Sequence, residues 1–133
     1  MITDVETRAA IVALVESTHR ALSTPGARFD AIFDAPDIAI AGSGLGELYR
    51  GPEEVIALTT AAAMHGVVWN ADTITVWRRG DVAWAQVLGT VTVVHDGVEE
   101  GVPYWTTGVF GLDDGRWRWL YWGGAEPQDP PRV

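Results

Sequence analysis

The stretch Val67–Gly97, VVWNADTITVWRRGDVAWAQVLGTVTVVHDG, decides the fold. Its two runs of Val, Thr, Ile and Trp are parted only by Arg79-Gly80-Asp81, and Asp96-Gly97 closes the second. β-Branched and aromatic residues suit a pleated, half-buried surface. Turns this short join antiparallel neighbours, because a parallel crossover needs a dozen residues or more. Two further runs of the same kind, Gly101–Leu112 and Arg116–Gly123, are separated by Asp113-Asp114-Gly115. The pattern predicts a meander of four long strands. Gly89, Gly108 and Gly111 lie inside these strands, where glycine marks a bulge or a bend. A long, strongly curved sheet is therefore expected.

Upstream the periodicity is helical. Thr3 and Glu6 have the spacing of a capping box. Ile11, Leu14, Val15, Thr18 and Leu22 then fall on one face. This predicts a helix of roughly 20 residues, about 30 Å long. Thr24-Pro25 restarts the chain, a short helix through Phe29, Ile32 and Phe33 is expected, and Pro36 stops it. DIAIAG (Asp37–Gly42) and GELYRG (Gly46–Gly51) read as two short strands. Gly51-Pro52-Glu53-Glu54 opens a third helix, with proline early and carboxylates in the first turn, and Gly66 ends it after His65. The order is α-α-β-β-α-β-β-β-β, an α+β fold with helices against the concave face of a bent sheet. Residues 1–124 form the single domain, and residues 125–133 a proline-rich extended tail.

Composition narrows the function. A chain of 133 residues, 47% hydrophobic, suits one compact domain. The net charge is −9 and all nine cations are arginines. Without a basic run, an acidic chain is a poor electrostatic match for nucleic acid or for an anionic membrane. The absence of cysteine excludes disulfides, thiolate metal sites and cysteine nucleophiles. The longest early apolar run, Ala9–Val15, is flanked by Arg8 and Glu16, which fits neither a signal peptide nor a membrane span. A soluble, cytoplasmic protein is expected.

One stretch imitates a nucleotide cradle. AGSGLGELYRG (Ala41–Gly51) carries four glycines before a helix start. A dinucleotide fingerprint runs G-x-G-x-x-G directly into a helix. Here Glu47 stands where the third glycine belongs, and ELYR intervenes. The stretch reads as a connection between two short strands.

Three stretches in this order resemble the nuclear-transport-factor-2-like superfamily, more narrowly its SnoaL-like branch. They are FDAIFDAPDIAIAG, GELYRGPEEV with its Glu-x-x-x-Gly, and the closing DGRWRWLYWGG. The resemblance covers the chain from about Val5 to Gly124. It implies a cone, in which a curved antiparallel sheet wraps a long helix and a pocket opens at one end. It also implies a homodimer through the outer sheet face. Members range from ketosteroid isomerase, limonene epoxide hydrolase, scytalone dehydratase and polyketide cyclases to non-enzymatic association domains, so fold does not decide function.

In isomerase-like members a carboxylate base follows the first strand. That place falls near Gly42 here, in Ala41-Gly42-Ser43, where no carboxylate stands. Glu47 is the most interesting acid. Inside an apolar, tryptophan-lined cavity it would serve as general acid or base. Alternatively it ties the hairpin by hydrogen bonds or pairs with Arg50. His19, one residue off the apolar stripe, is a second candidate proton shuttle, or else a partly buried helix histidine. His65 lies at a helix end and His95 beside a turn. No spacing suggests a metal site, and no cofactor is expected.

Strict alternation puts Trp117, Trp119 and Tyr121 on one face, with Arg118, Leu120 and Trp122 on the other. It puts Trp69 with Trp77, and opposes Tyr104 to Trp105. One set fills the cone, and the other forms an interaction surface. Tyr49, Trp69, Tyr104, Trp105 and Trp119 are the candidate ligand-binding residues, with Tyr104 or Tyr49 as hydrogen-bond donor. The expected function is binding of a small apolar or aromatic molecule, with cofactor-free acid/base chemistry if it is catalytic. The alternative is a non-enzymatic ligand-binding or dimeric assembly module.

Overall fold

The computed structural model describes residues 3–130. Two helices, α1 (Val5–Leu22) and α2 (Gly51–Ala63), accompany six strands. The strands are β1 (Ala39–Ala41), β2 (Leu48–Arg50), β3 (Val68–Arg79), β4 (Val82–His95), β5 (Val98–Asp113) and β6 (Arg116–Ala125). They form one sheet in the order β2-β1-β6-β5-β4-β3. The β3–β6 meander is antiparallel throughout, and only β1 beside β6 is parallel. The α+β cone expected from the sequence is what the chain forms.

Two local expectations change. The N-cap of α1 is Asp4 rather than Thr3, because its carboxylate accepts from the Thr7 amide at 2.8 Å. The same hydrogen bond holds the Asp4 carboxyl below its usual range. The short helix expected around Phe29–Phe33 is reduced to one turn, with the Ile32 and Phe33 amides both donating to the Phe29 carbonyl. Nine residues between Gly26 (φ +84°) and Pro36 are too few to repay helix nucleation. Packing holds this segment instead. Phe29 and Phe33 are fully buried, and Arg116 Nη2 bonds Asp34 at 2.7 Å across the start of β6.

The core lies between α1, α2 and the inner face of the sheet. Ile11, Val15, Thr18 and Leu22 of α1 are buried, as their spacing requires. Thr18 Oγ1 donates to the Leu14 carbonyl at 2.7 Å and accepts from Trp119 Nε1 at 3.0 Å, fixing the largest buried side chain to the helix. At the other end of α1, Arg78 Nη1 donates to Thr7 Oγ1 at 2.8 Å and lies 5.1 Å over the Trp117 ring.

Two bulges break the alternation. The β3–β4 register shifts between Ala71 and Thr73, leaving Asp72 as the extra residue. The β5–β6 register shifts between Val109 and Phe110, with Leu120 extra. The glycine signals fall opposite these places. Gly89 pairs with Ala71, and a Cβ on it would run into the Asn70 carbonyl oxygen. A Cβ on Gly111 would lie 2.9 Å from the Leu120 side chain. The glycines thus accommodate bulges carried by the partner strands.

Each bulge reverses the faces beyond it. Trp69 turns inward while Trp77 faces out, against the shared face expected for them. Trp119 and Trp122 are both buried while Tyr121 is exposed. The expected grouping of Trp119 with Tyr121 against Trp122 is therefore corrected.

Candidate functional site

A cavity of about 100 Å³ lies between α2, the connection leading into β1 and the inner sheet face. Leu22, Phe33, Ile40, Leu58 and Ala62 give it apolar walls. Trp69, Tyr104 and Trp122 form an aromatic wall, contributed by β3, β5 and β6 respectively. The Trp69 and Tyr104 centroids are 4.9 Å apart with planes at 76°, and those of Trp69 and Trp122 are 6.0 Å apart at 68°. Tyr104 and Trp122 close the triangle at 5.8 Å. Both bulges are needed for this meeting, since each brings one of the two tryptophans inward.

Glu47 lines the same cavity, half-buried in the connection between β1 and β2. Its amide and carbonyl pair with the backbone of Gly44 and Gly42. Its carboxylate folds back over those glycines. A Cβ on Gly44 would fall onto Glu47 Oε1, and one on Gly42 would lie 3.0 Å from Oε2. These glycines leave the volume that the carboxylate occupies. Among the described residues no hydrogen bond or ion pair engages that carboxylate, so Glu47 ties the hairpin through its backbone alone and does not pair with Arg50.

Tyr104 is the other polar group of the aromatic wall. Its hydroxyl lies against Gly124, where a Cβ would overlap it. Burial raises its pKa, hydrogen bonding with Ser43 opposes the rise, and the negative charge of Glu47 adds to it. The phenol is therefore held protonated, as a donor. The indole N–H groups of Trp69 and Trp122 are buried without partners. Thr59, also on the wall, donates its hydroxyl to the Val55 carbonyl at 2.9 Å.

His19 belongs to a different space. It is 7% exposed on α1 and lines an open groove of about 440 Å³ with Glu16, Arg20, Ser23 and Asn70. Burial holds its imidazole down at about 4, so the ring is neutral at pH 7, and its Nδ1 has no partner. Trp69 is the shared wall: its ring stands 5.9 Å from His19 and lines both groove and cavity.

Of the sequence candidates, Glu47, Trp69 and Tyr104 share the cavity, and His19 lies behind Trp69. Tyr49 pairs with Ile40 and packs on the core without lining the cavity. Trp119 is 1% exposed, wedged between Phe33 and Phe110. Trp105 is 48% exposed on the opposite sheet face, so it too lies outside the cavity. Trp122 was the residue that alternation missed, because the Leu120 bulge reverses its face. The apolar spacing of α2 was the available signal for Leu58 and Ala62.

Among the described residues, no three His, Asp or Glu side chains gather as a metal site would require, and no helix is long and apolar enough to cross a membrane.

Residues 11–125 match the family model for the SnoaL-like domain. The chain belongs to the SnoaL-like domain family. No curated protein matches the sequence. Among solved structures, it is similar to an uncharacterised cystatin-like-fold protein from Caulobacter vibrioides. The TM-score is 0.78 at 23% identity, over 92% of this chain and 91% of that one. It is also similar to a provisionally assigned dehydratase of the NTF2-like family from Streptomyces avermitilis. There the TM-score is 0.80 at 12% identity, over 96% and 100% of the two chains. The association domain of C. elegans CaMKII matches with a TM-score of 0.73 at 15% identity, over 90% and 95%. The TM-scores show a shared fold, and at such identities the fold alone.

Proposed function

We propose that this protein binds a small, largely apolar or aromatic molecule in the cavity walled by Trp69, Tyr104 and Trp122, and that Glu47 is its acid/base group. One observation carries the reading. The place where the resemblance puts a catalytic base falls near Gly42, and the Glu47 carboxylate fills the space a side chain on Gly42 would enter. In this reading Glu47, across the connection, stands in for the carboxylate expected after the first strand.

In this reading the chemistry is cofactor-free proton transfer. Glu47 takes a proton from the ligand, and the Tyr104 hydroxyl donates a hydrogen bond to the oxygen on which charge develops. The apolar walls strengthen both interactions by excluding water. His19, neutral and behind Trp69, supports the wall. The cavity is smaller than an ordinary drug-sized pocket, which favours a compact ligand. The fold likeness to a provisionally assigned dehydratase agrees with such chemistry.

A second reading, assembly, has its own support on the outer face. Trp77, Trp84, Val109 and Tyr121 pair side by side across β3–β6, with exposed Leu88 and Trp105 paired beside them. An apolar band of this kind fits a homodimer, and the likeness to an association domain agrees.

A thermal-shift screen of small apolar and aromatic molecules tests the first reading, because a ligand of the native state raises the apparent Tm. Hits are expected to lose their shift in Tyr104→Phe, Glu47→Gln or both. If a confirmed substrate is turned over unchanged by Glu47→Gln, the acid/base assignment fails.

A further inference from the structure

We infer that the cavity selects a compact alkylammonium group, such as a methylated amine, over a neutral group of the same shape. This rests on the reading that the cavity takes a ligand, and does not depend on a reaction being catalysed. Three observations converge.

The first is charge. Among the described residues Glu47 is the sole ionisable acid or base on the wall apart from the Tyr104 phenol, and no arginine or histidine lines the cavity. Its carboxylate has no counter-charge among the described residues. A half-buried carboxylate without a partner favours a cation that arrives with the ligand.

The second is the aromatic wall. Trp69 is inclined steeply to the other two rings, at 76° and 68°, while Tyr104 and Trp122 lie at 33° to each other. All three rings line the cavity, and tryptophan and tyrosine are strong partners for quaternary ammonium. An anionic ligand would meet repulsion from both rings and carboxylate.

The third is size and selectivity. About 100 Å³ admits a small branched group. The other walls, Leu22, Phe33, Ile40, Leu58 and Ala62, suit N-methyl groups rather than a heavily hydrated ammonium. The chain's net charge of −9, with no lysine, draws cations toward it.

The test titrates the full-length protein with choline and with its uncharged isostere 3,3-dimethylbutan-1-ol, at matched ionic strength. Quenching of tryptophan fluorescence and calorimetry give both affinities. Choline is expected to bind at least about tenfold tighter than the alcohol. Glu47→Gln is expected to bring the affinity for choline down toward that for the alcohol. The wild-type comparison stands alone should that variant fail to fold. Equal or tighter binding of the alcohol overturns the inference and leaves the cavity as an apolar ligand site. Saturable binding of neither overturns the inference and counts against the cavity reading as well. Choline selectivity that persists undiminished in a folded Glu47→Gln protein also overturns it.

Discussion

Gly44 and Glu47 are three residues apart, and their meaning lies in the space between them. A methyl group on Gly44 overlaps Glu47 Oε1. Gly44→Ala is therefore expected to displace the carboxylate and destabilise the protein by about 1 kcal/mol. The same change in a Glu47→Ala background should cost almost nothing, and urea unfolding of the four proteins measures the coupling. Equal costs in both backgrounds would show that the carboxylate does not occupy that space. His19 carries a second prediction. Its native pKa of about 4 lies below the ordinary histidine value of 6.5, so between these values the unfolded chain binds the extra proton. Stability is thus full above about pH 6.5 and falls as pH drops toward 4, by about 3 kcal/mol in all. Glu16 and Arg20 flank the ring on α1, and Trp69 and Asn70 face it from β3. Denaturant midpoints across pH 4–7 should show this slope flattened in a folded His19→Gln variant. The candidate status of Glu47 was legible from its place before the third helix. Its independence from Arg50 was not, because side-chain direction in a glycine-rich connection follows from backbone geometry.

At the scale of elements, α1 is joined to the sheet by specific polar contacts as well as by its apolar stripe. Thr18→Val keeps the shape but leaves the Trp119 N–H buried without an acceptor. It should cost about 1–3 kcal/mol, and much less in a Trp119→Phe background. Comparable losses in both backgrounds would remove the hydrogen bond from the account. The helical stripe itself was readable, because burial at a period of 3.6 residues leaves a strong pattern. The reduction of the expected Phe29–Phe33 helix to one turn was less so. Two apolar residues four apart satisfy helical and irregular burial alike, and only packing against Trp119 distinguishes them.

The whole molecule has two apolar faces with separate roles. The inner face closes the core and shapes the cavity. The outer face leaves Trp105, Leu88 and Tyr121 partly exposed at 48%, 37% and 37%. If that face joins two copies, Trp105→Glu should weaken self-association by about 2 kcal/mol, or roughly thirtyfold, with circular dichroism unchanged. Sedimentation over a concentration series checks this, and an unaltered mass distribution in a dimeric sample would move the interface elsewhere. The sequence by itself determined the antiparallel meander and the succession of elements, apart from the short helix expected at Phe29–Phe33. Those follow from local periodicity and from turns too short for any other connection. Only the tertiary structure decided which tryptophans face inward. An extra residue reverses every side chain beyond it. The glycines announced that bulges exist, but the strand pairing assigned the extra residues to Asp72 and Leu120. That assignment brings Trp69 and Trp122 to Tyr104 and Glu47.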